Sequence, residues 1–562
     1  MKKRIQPSVT GSGRSASTLL LLLFSFCFCH LTEPIANAST NLPENAVFAF
    51  SVIGNSQTAA VPFTVTISAR DASNAIVSSF TGMVHLRGTN ETGAVSVSPT
   101  NSGVFVAGQW SGSLTIRKAV NSMWLVADDG FGHAGTSSPF DVHLGPFHHF
   151  GWTIPPSPEA KDLPFPVTVA AQDAGDNTVT DFVGSVNFTA TGSGSIVSID
   201  DFESGWPHAP WLFVSGNPTG HVSTNAAHDA VYGLIDPEWV YRTDVQRGSV
   251  GNQLWWWVRT PGNSGDGAGR AYLGFAATST GCWSFIASPN TGEIVLQQNT
   301  NYQFNTAATT NQVWETSTWY KTLVEFTSSN SVKCTLYDSD GLTVLNSLCY
   351  TNSSPLAGGI AIRSFNNWAL DSLAMGQRTA FPMTPTSSGQ FVGGVWTGSI
   401  AILDFGTNVE LQASDGAGRF GASQQFHVVD LDTFHWQHWQ LNFFGCLYCP
   451  EAQSNADPDG DGYINFAEYL LTGTDPTDSA SAFQILEIAP MDEDMLITWD
   501  AVGGKQYIVQ TATNLAGGLS NSFNDLGPVI VAPGTNEYPL SVLHLGGATN
   551  GPSRFYRVRL VP

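Results

Sequence analysis

The strongest constraint on this fold is a repeat that breaks in the middle. Pro62-Phe-Thr-Val-Thr-Ile-Ser-Ala-Arg-Asp71 returns as Pro164-Phe-Pro-Val-Thr-Val-Ala-Ala-Gln-Asp173, and Phe80 and Gly82 return as Phe182 and Gly184. The second half of the unit returns much later. Ser98-Pro-Thr-Asn-Ser-Gly103 matches Thr384-Pro-Thr-Ser-Ser-Gly389, Trp110-Ser-Gly112 matches Trp396-Thr-Gly398, Asp129-Gly130 matches Asp415-Gly416, and Phe140 matches Phe426. The offset jumps from about 102 to about 286 positions, so roughly 184 residues interrupt the second copy. Within each copy apolar and polar residues alternate, as in Phe63-Thr-Val-Thr-Ile67. That is the pattern of half-buried antiparallel strands. Exposed loops tolerate such insertions when the guest's two ends lie close together.

These strands, spaced by Gly- and Pro-rich turns, resemble immunoglobulin-like sandwiches. The first covers 39–144. The second is split into 145–198 and 377–430. The insert, 199–376, opens on Ile199-Asp-Asp-Phe-Glu-Ser-Gly205 and closes on Trp368-Ala-Leu-Asp-Ser-Leu-Ala-Met375, two segments that read as strands. Antiparallel pairing of these ends would bring them together. Between them lie Leu254-Trp-Trp-Trp-Val258, Ala271-Tyr-Leu-Gly-Phe275, Trp319-Tyr-Lys-Thr-Leu-Val-Glu-Phe326 and Val332-Lys-Cys-Thr-Leu-Tyr337, with Asp338-Ser-Asp-Gly341 following. This texture resembles a laminin-G/concanavalin-A-like jelly roll, a superfamily in which many members bind glycans and some cleave them. On a strand, Trp256 faces one side and Trp255 with Trp257 the other. An exposed ring could stack on a sugar, although rings of this kind more often supply core area.

The chemistry concentrates at Asp457-Pro-Asp-Gly-Asp-Gly-Tyr-Ile-Asn-Phe-Ala-Glu468. A hard cation such as Ca²⁺ takes six to eight oxygens, and alternate Asp side chains on a tight loop can supply them. The spacing assigns side-chain oxygens to Asp457, Asp459 and Asp461, a direct or water-mediated contact to Asn465, a backbone carbonyl to Tyr463 and a bidentate carboxylate to Glu468. Gly462 permits the sharp turn, and Ile464 is expected to pack beneath the loop. An ordinary acidic turn needs neither Gly at the sixth place nor Glu at the twelfth. The loop resembles the EF-hand-like calcium segments of bacterial thrombospondin type 3-like and dockerin-like modules, with Asp475-Pro-Thr-Asp478 as trailing turn. It differs from a paired EF-hand in having one full loop and no helix running directly into it. The segment is bounded at 431–482. Trp436, Trp439 and Phe443 fall at helical spacing before it. Phe466, Tyr469 and Leu470 fit one side of a short exiting helix that stops near Gly473. Strand texture returns in 483–562 and resembles a small fibronectin-III-like sandwich.

The fold class expected is therefore all-β and multidomain, with one short helical calcium segment. The chain has 562 residues and a formal net charge of -23, with a pI of about 4.7. Such acidity argues against nucleic-acid backbones and anionic membranes as partners. Lys2, Lys3 and Arg4, the apolar run Leu19–Cys29 and Ala36-Asn-Ala38 form a secretory signal over 1–38, with cleavage near Ala38. The apolar run is too short for a membrane span, so a secreted or cell-surface location is expected. Export permits disulfides. Cys446 and Cys449 can bridge locally, Cys334 and Cys349 can face each other across a hairpin, and Cys282 is then left over, although sequence alone does not set the connectivity.

A catalytic reading finds no support. A concanavalin-like hydrolase needs two carboxylates alternating on one strand, and Glu293, Glu315 and Glu325 stand alone in the insert. No catalytic or cofactor-binding residue is assigned. The expected function is a secreted calcium-binding surface protein, non-catalytic, engaging a polysaccharide or cell-surface glycan through the insert. A glycoside hydrolase or lyase using the insert is the alternative, and a passive spacer the third reading.

Overall fold

The computed structural model describes residues 42–561 apart from 215–218, 229–230, 448, 514–522 and 550–553. The expected signal peptide 1–38, with Cys27, Cys29 and Ala38, lies outside the described residues. The described chain is built of strands joined by turns and loops, with little helix, and forms two compact units, divided after Gly145. No helix among the described residues is long and apolar enough to cross a membrane.

The first unit is a two-sheet sandwich. Val47–Phe50, Phe63–Arg70 and Gln109–Leu114 make one sheet, and a six-stranded sheet that includes Val120–Asp128 makes the other. Alternation does the sorting: Val65, Ile67 and Ala69 point inward and meet Leu86, Leu125 and Phe140.

In the second unit the repeat recurs in atomic detail. Val84 N–H donates to Ser102 Oγ at 2.9 Å, and Val186 N–H to Ser388 Oγ at 2.9 Å. Leu125 N–H donates to Ser137 Oγ, and Leu411 N–H to Ser423 Oγ. A Cβ added at Gly135 would lie 1.6 Å from the Phe48 carbonyl oxygen, and one at Gly421 would lie 1.7 Å from that of Phe150. Both positions demand glycine because a backbone runs against them. The core of this second sandwich takes Phe150, Val169 and Phe188 from before the interruption and Ile400, Leu411 and Phe426 from after it.

The joint with the insert departs from the sequence-based boundaries. The breaks expected at 198/199 and 376/377 fall inside two long strands, Asn187–Asp200 and Ala369–Phe381. These pair antiparallel from Ala190↔Phe381 to Asp200↔Leu373, through two bulges. The guest thus leaves the host through shared strands rather than through a loop. One sheet runs from Phe426–Val429 of the split sandwich across both long strands to Val344–Thr351 of the insert. The physical reason is continuity: neither long strand carries a Pro, and pairing resumes after each bulge, so the ladder does not stop where the domains change.

The insert is a sandwich of that shared sheet and a seven-stranded sheet running from Leu212–Phe213 to Thr306–Asn311. Its core holds Trp256, Trp368, Phe275 and Phe285. Trp256 packs between the sheets, while Trp255 and Trp257 lie on the other face, yet at 7% and 8% exposure they are also buried. His228 stacks on Trp257 at 4.0 Å; Leu323, Tyr337 and Ala374 cover Trp255. None of the three rings is available for stacking on a sugar.

Cys446 and Cys449 form a disulfide. The pairing of Cys334 with Cys349 is corrected: both are free. Cys334 stands opposite Leu348, and Cys349 opposite Lys333. The register is one residue off, so one sulfur points into the core and the other to solvent. The tail is a small two-sheet sandwich over Ile497, Trp499, Tyr507 and Val509.

Candidate metal centre

The acidic loop is held from both sides before any ligand is considered. Helix Leu431–Phe444 begins at Asp430, whose carboxylate accepts the Thr433 N–H at 2.9 Å, and ends at Gly445 in the left-handed region. Trp436 and Trp439 stack on each other and meet Tyr469 edge-on at 5.1 and 5.8 Å. Gln440 reaches from the helix to the Ala452 carbonyl at 2.7 Å. The loop's exit is a short helical stretch from Asn465 to Thr472, stopped by Gly473 at φ 77°. The chain therefore arrives at the loop already fastened to a helix, although that helix is not contiguous with it.

Three carboxylates converge. Asp457, Asp459 and Asp461 each offer an oxygen, and these lie within 4.8 Å of one another. The loop backbone holds them in place: Asp457 accepts Gly460 N–H at 2.9 Å and Gly462 N–H at 3.1 Å, and Asp461 accepts Tyr463 N–H at 2.7 Å. Gly460 and Gly462 have φ of 77° and 98°, a conformation that favours glycine. Each carboxylate uses one part of its capacity on the loop and keeps the rest. Asp459 Oδ2, Asp461 Oδ2, Asn465 Oδ1 and Glu468 Oε2 are all buried and have no hydrogen-bond partner. Four such oxygens in one short segment are costly in a folded protein. The chemistry of the donor set fits Ca²⁺, although the convergence within 4.8 Å holds for Asp457, Asp459 and Asp461 and does not take in Glu468.

Electrostatics agree. Burial pushes Glu468 up to about 7, with help from the charges of Asp461, Asp459 and Asp457. Asp459 is likewise raised, first by burial and then by Asp461 and Asp457. Without a cation these groups resist ionisation together.

Ile464 departs from the place expected of it beneath the loop, and Asn465 lies inward instead. Asn465 is fully buried, and its amide donates to the Glu451 and Gln453 carbonyls at 2.7 and 2.8 Å. Those carbonyls draw the Asn beneath the loop, and the extended backbone at Ile464 then turns that side chain outward, to 42% exposure. Tyr463 is fixed by its N–H and by its hydroxyl, which donates to the Phe483 carbonyl at 2.8 Å. That bond links the loop to the tail. The sequence reading missed Thr474, whose hydroxyl donates to Glu468 Oε1 at 3.0 Å and pairs with Thr472 at 2.7 Å. It aims the carboxylate, but it stands beyond the loop, where ligand spacing carries no signal.

A second surface belongs to the insert. On the outer face of its seven-stranded sheet Trp239, Tyr272 and Tyr302 cluster, with ring centroids 5.1–5.2 Å apart. The Arg363 guanidinium lies 5.2 Å from the Phe365 ring, 5.5 Å from Phe304, 5.6 Å from Tyr272 and 5.9 Å from Trp239. Phe304 is 57% exposed. A groove of about 580 Å³ beside this cluster is lined by Tyr241, Thr243, Thr278 and Ser279, among others.

Residues 249–374, within the insert, match the family described as SO2946-like, C-terminal domain. No curated protein matches the chain. Among solved structures, the chain is similar to the carbohydrate-binding module CBM66 from Bacillus subtilis, at 10% identity over 30% of this chain and 95% of that one, TM-score 0.24. It is similar to galectin LEC-6 of Caenorhabditis elegans, at 11% identity over 26% and 95%, TM-score 0.20. It is also similar to SO2946 from Shewanella oneidensis MR-1, a protein of unknown function, at 14% identity over 40% and 90%, TM-score 0.20. Each is a likeness of part of the chain.

Proposed function

We propose that this chain is an exported, non-catalytic β protein that Ca²⁺ braces and that engages glycans through its insert. The observation that carries the proposal is the set of four buried, unpartnered oxygens on Asp459, Asp461, Asn465 and Glu468. With Asp457 and the Tyr463 carbonyl they make the ligand set. The bound ion would neutralise the carboxylates and stiffen the segment between the split sandwich and the tail. Calcium-binding extracellular modules work at about 10⁻⁴–10⁻³ M, which suits an exported protein cleaved near Ala38.

The glycan reading rests on the exposed ring of Phe304 beside aromatic and hydrogen-bonding groups. A glycan array combined with a reducing-sugar release assay tests it. Binding without release is expected. Release of sugar would establish the hydrolase or lyase alternative, and silence in both assays the spacer.

A further inference from the structure

The outer face of the insert's seven-stranded sheet is an unusual surface for so acidic a protein. Two arginines stand on neighbouring strands at one end of it, Arg270 on Arg270–Thr278 and Arg363 on Gly358–Phe365. The register sets Tyr272 directly opposite Arg363 and Arg270 opposite Phe365, so the two cations flank one tyrosine. Both bear on the Tyr272 hydroxyl: burial raises that phenol, while the charges and hydrogen bonds of Arg270 and Arg363 pull it back.

Their neutralisation is partial. Arg363 Nε lies 3.3 Å from Glu238 Oε2 but without the direction of a hydrogen bond, and the Glu238 side chain is 47% exposed. Arg270 Nε donates to the neutral Asn290 Oδ1 at 3.1 Å. Glu293 also feels Arg270, but its own hydrogen bonds go to Thr291 and Thr309. Beside this pair, the Arg363 guanidinium lies over the Phe304 and Phe365 rings, and Phe304 remains 57% exposed. The indole Nε1 of Trp239 and the side-chain oxygens of Gln297 and Asn299 are buried without partners on the same sheet.

We infer that this face binds an acidic saccharide, with Arg270 and Arg363 taking the sugar's carboxylate or sulfate and Phe304 stacking on its ring. The inference rests on the glycan reading above and names its ligand class. Guanidinium groups match oxyanions in geometry as well as charge. Aromatic rings supply flat apolar contact at low cost in side-chain freedom. A neutral sugar would gain the stacking but leave the paired cations unanswered.

The probes are hexagalacturonate, its methyl ester and a sulfated carrageenan hexasaccharide, titrated calorimetrically into the full chain in calcium. Hexagalacturonate, the carrageenan fragment or both should bind, the stronger of the two identifying the oxyanion. The methyl ester should bind at least about tenfold more weakly than the free acid where the carboxylate is the oxyanion. Raising the salt should weaken binding, since exposed charge pairs are screened. Arg363→Gln and Phe304→Ala should each weaken it about tenfold or more. Because Phe304 is largely exposed, its variant keeps the native melting temperature and reports on the site even if the arginine variant unfolds. Neutral oligosaccharides binding as well as the acidic ones would overturn this inference and leave the glycan reading standing. Silence toward every glycan would take both down. Acidic binding indifferent to both substitutions would overturn the site.

Discussion

Glu159 is buried at the edge of the split sandwich with Oε1 unpartnered, and burial alone pushes its carboxyl up to about 8. In the unfolded chain it titrates near the ordinary 4.5. The folded state thus holds the proton that the unfolded state releases between those values. Its contribution to stability is fully present below about 4.5 and is lost as pH rises to about 8. Glu159→Gln should remove that slope. In calcium, melting curves of the variant and the parent should converge at low pH and separate toward pH 8, by on the order of a few kcal/mol. Equal curves throughout would show that water reaches the group. At the same scale, Thr474→Val should lower Ca²⁺ affinity about tenfold by releasing Glu468, as removal of a ligand's supporting hydrogen bond does. Calorimetric titration checks it, and an unchanged affinity would mean that Glu468 needs no guide.

At the scale of elements, the paired glycines give a matched test. Gly135→Ala and Gly421→Ala each press a methyl into a carbonyl of the neighbouring strand, at Phe48 and Phe150. Each should cost about 1–3 kcal/mol or more, seen as a lower denaturation midpoint, with similar values in the two repeats. The strands themselves were legible because alternation is written residue by residue: Val65, Ile67 and Ala69 are inward in sequence and in space. The convergence of Asp457, Asp459 and Asp461 was legible for the same reason, their alternation being local. What failed was non-local. Register decides which face Cys349 takes, and a one-residue slip leaves the strand pattern unchanged. The outward turn of Ile464 depended on carbonyls of Glu451 and Gln453 that only folding brings beneath Asn465. The shared strands at the joint were invisible because a boundary inside a ladder has no composition of its own.

At the scale of the whole second unit, the insert and the split sandwich are fastened by more than backbone. Arg378 lies 3.6 Å from both Glu325 of the insert and Glu410 of the host, and its guanidinium donates to Thr191 at 2.9 Å. The buried ammonium of Lys321 donates to Asn408 Oδ1 at 2.7 Å and lies over Trp255. Asn408 in turn donates to the Gly341 carbonyl. Lys321→Met should cost about 1.5–3 kcal/mol and lower the unfolding of both cores together, as followed by hydrogen exchange. Loss of protection in the insert alone would show that the two are independent. The tail joins this body through the acidic loop, where Tyr463 meets Phe483. Calcium is proposed to stiffen that last connection. The most direct test is calorimetric titration of Ca²⁺ into the chelator-stripped chain, with the melting temperature measured in parallel. One ion should bind with an affinity of about 10⁻⁴–10⁻³ M or tighter, the melting temperature should rise with occupancy, and Asp459→Ala with Glu468→Ala should abolish both effects. No heat of binding, together with a melting temperature that ignores chelator, would contradict the account.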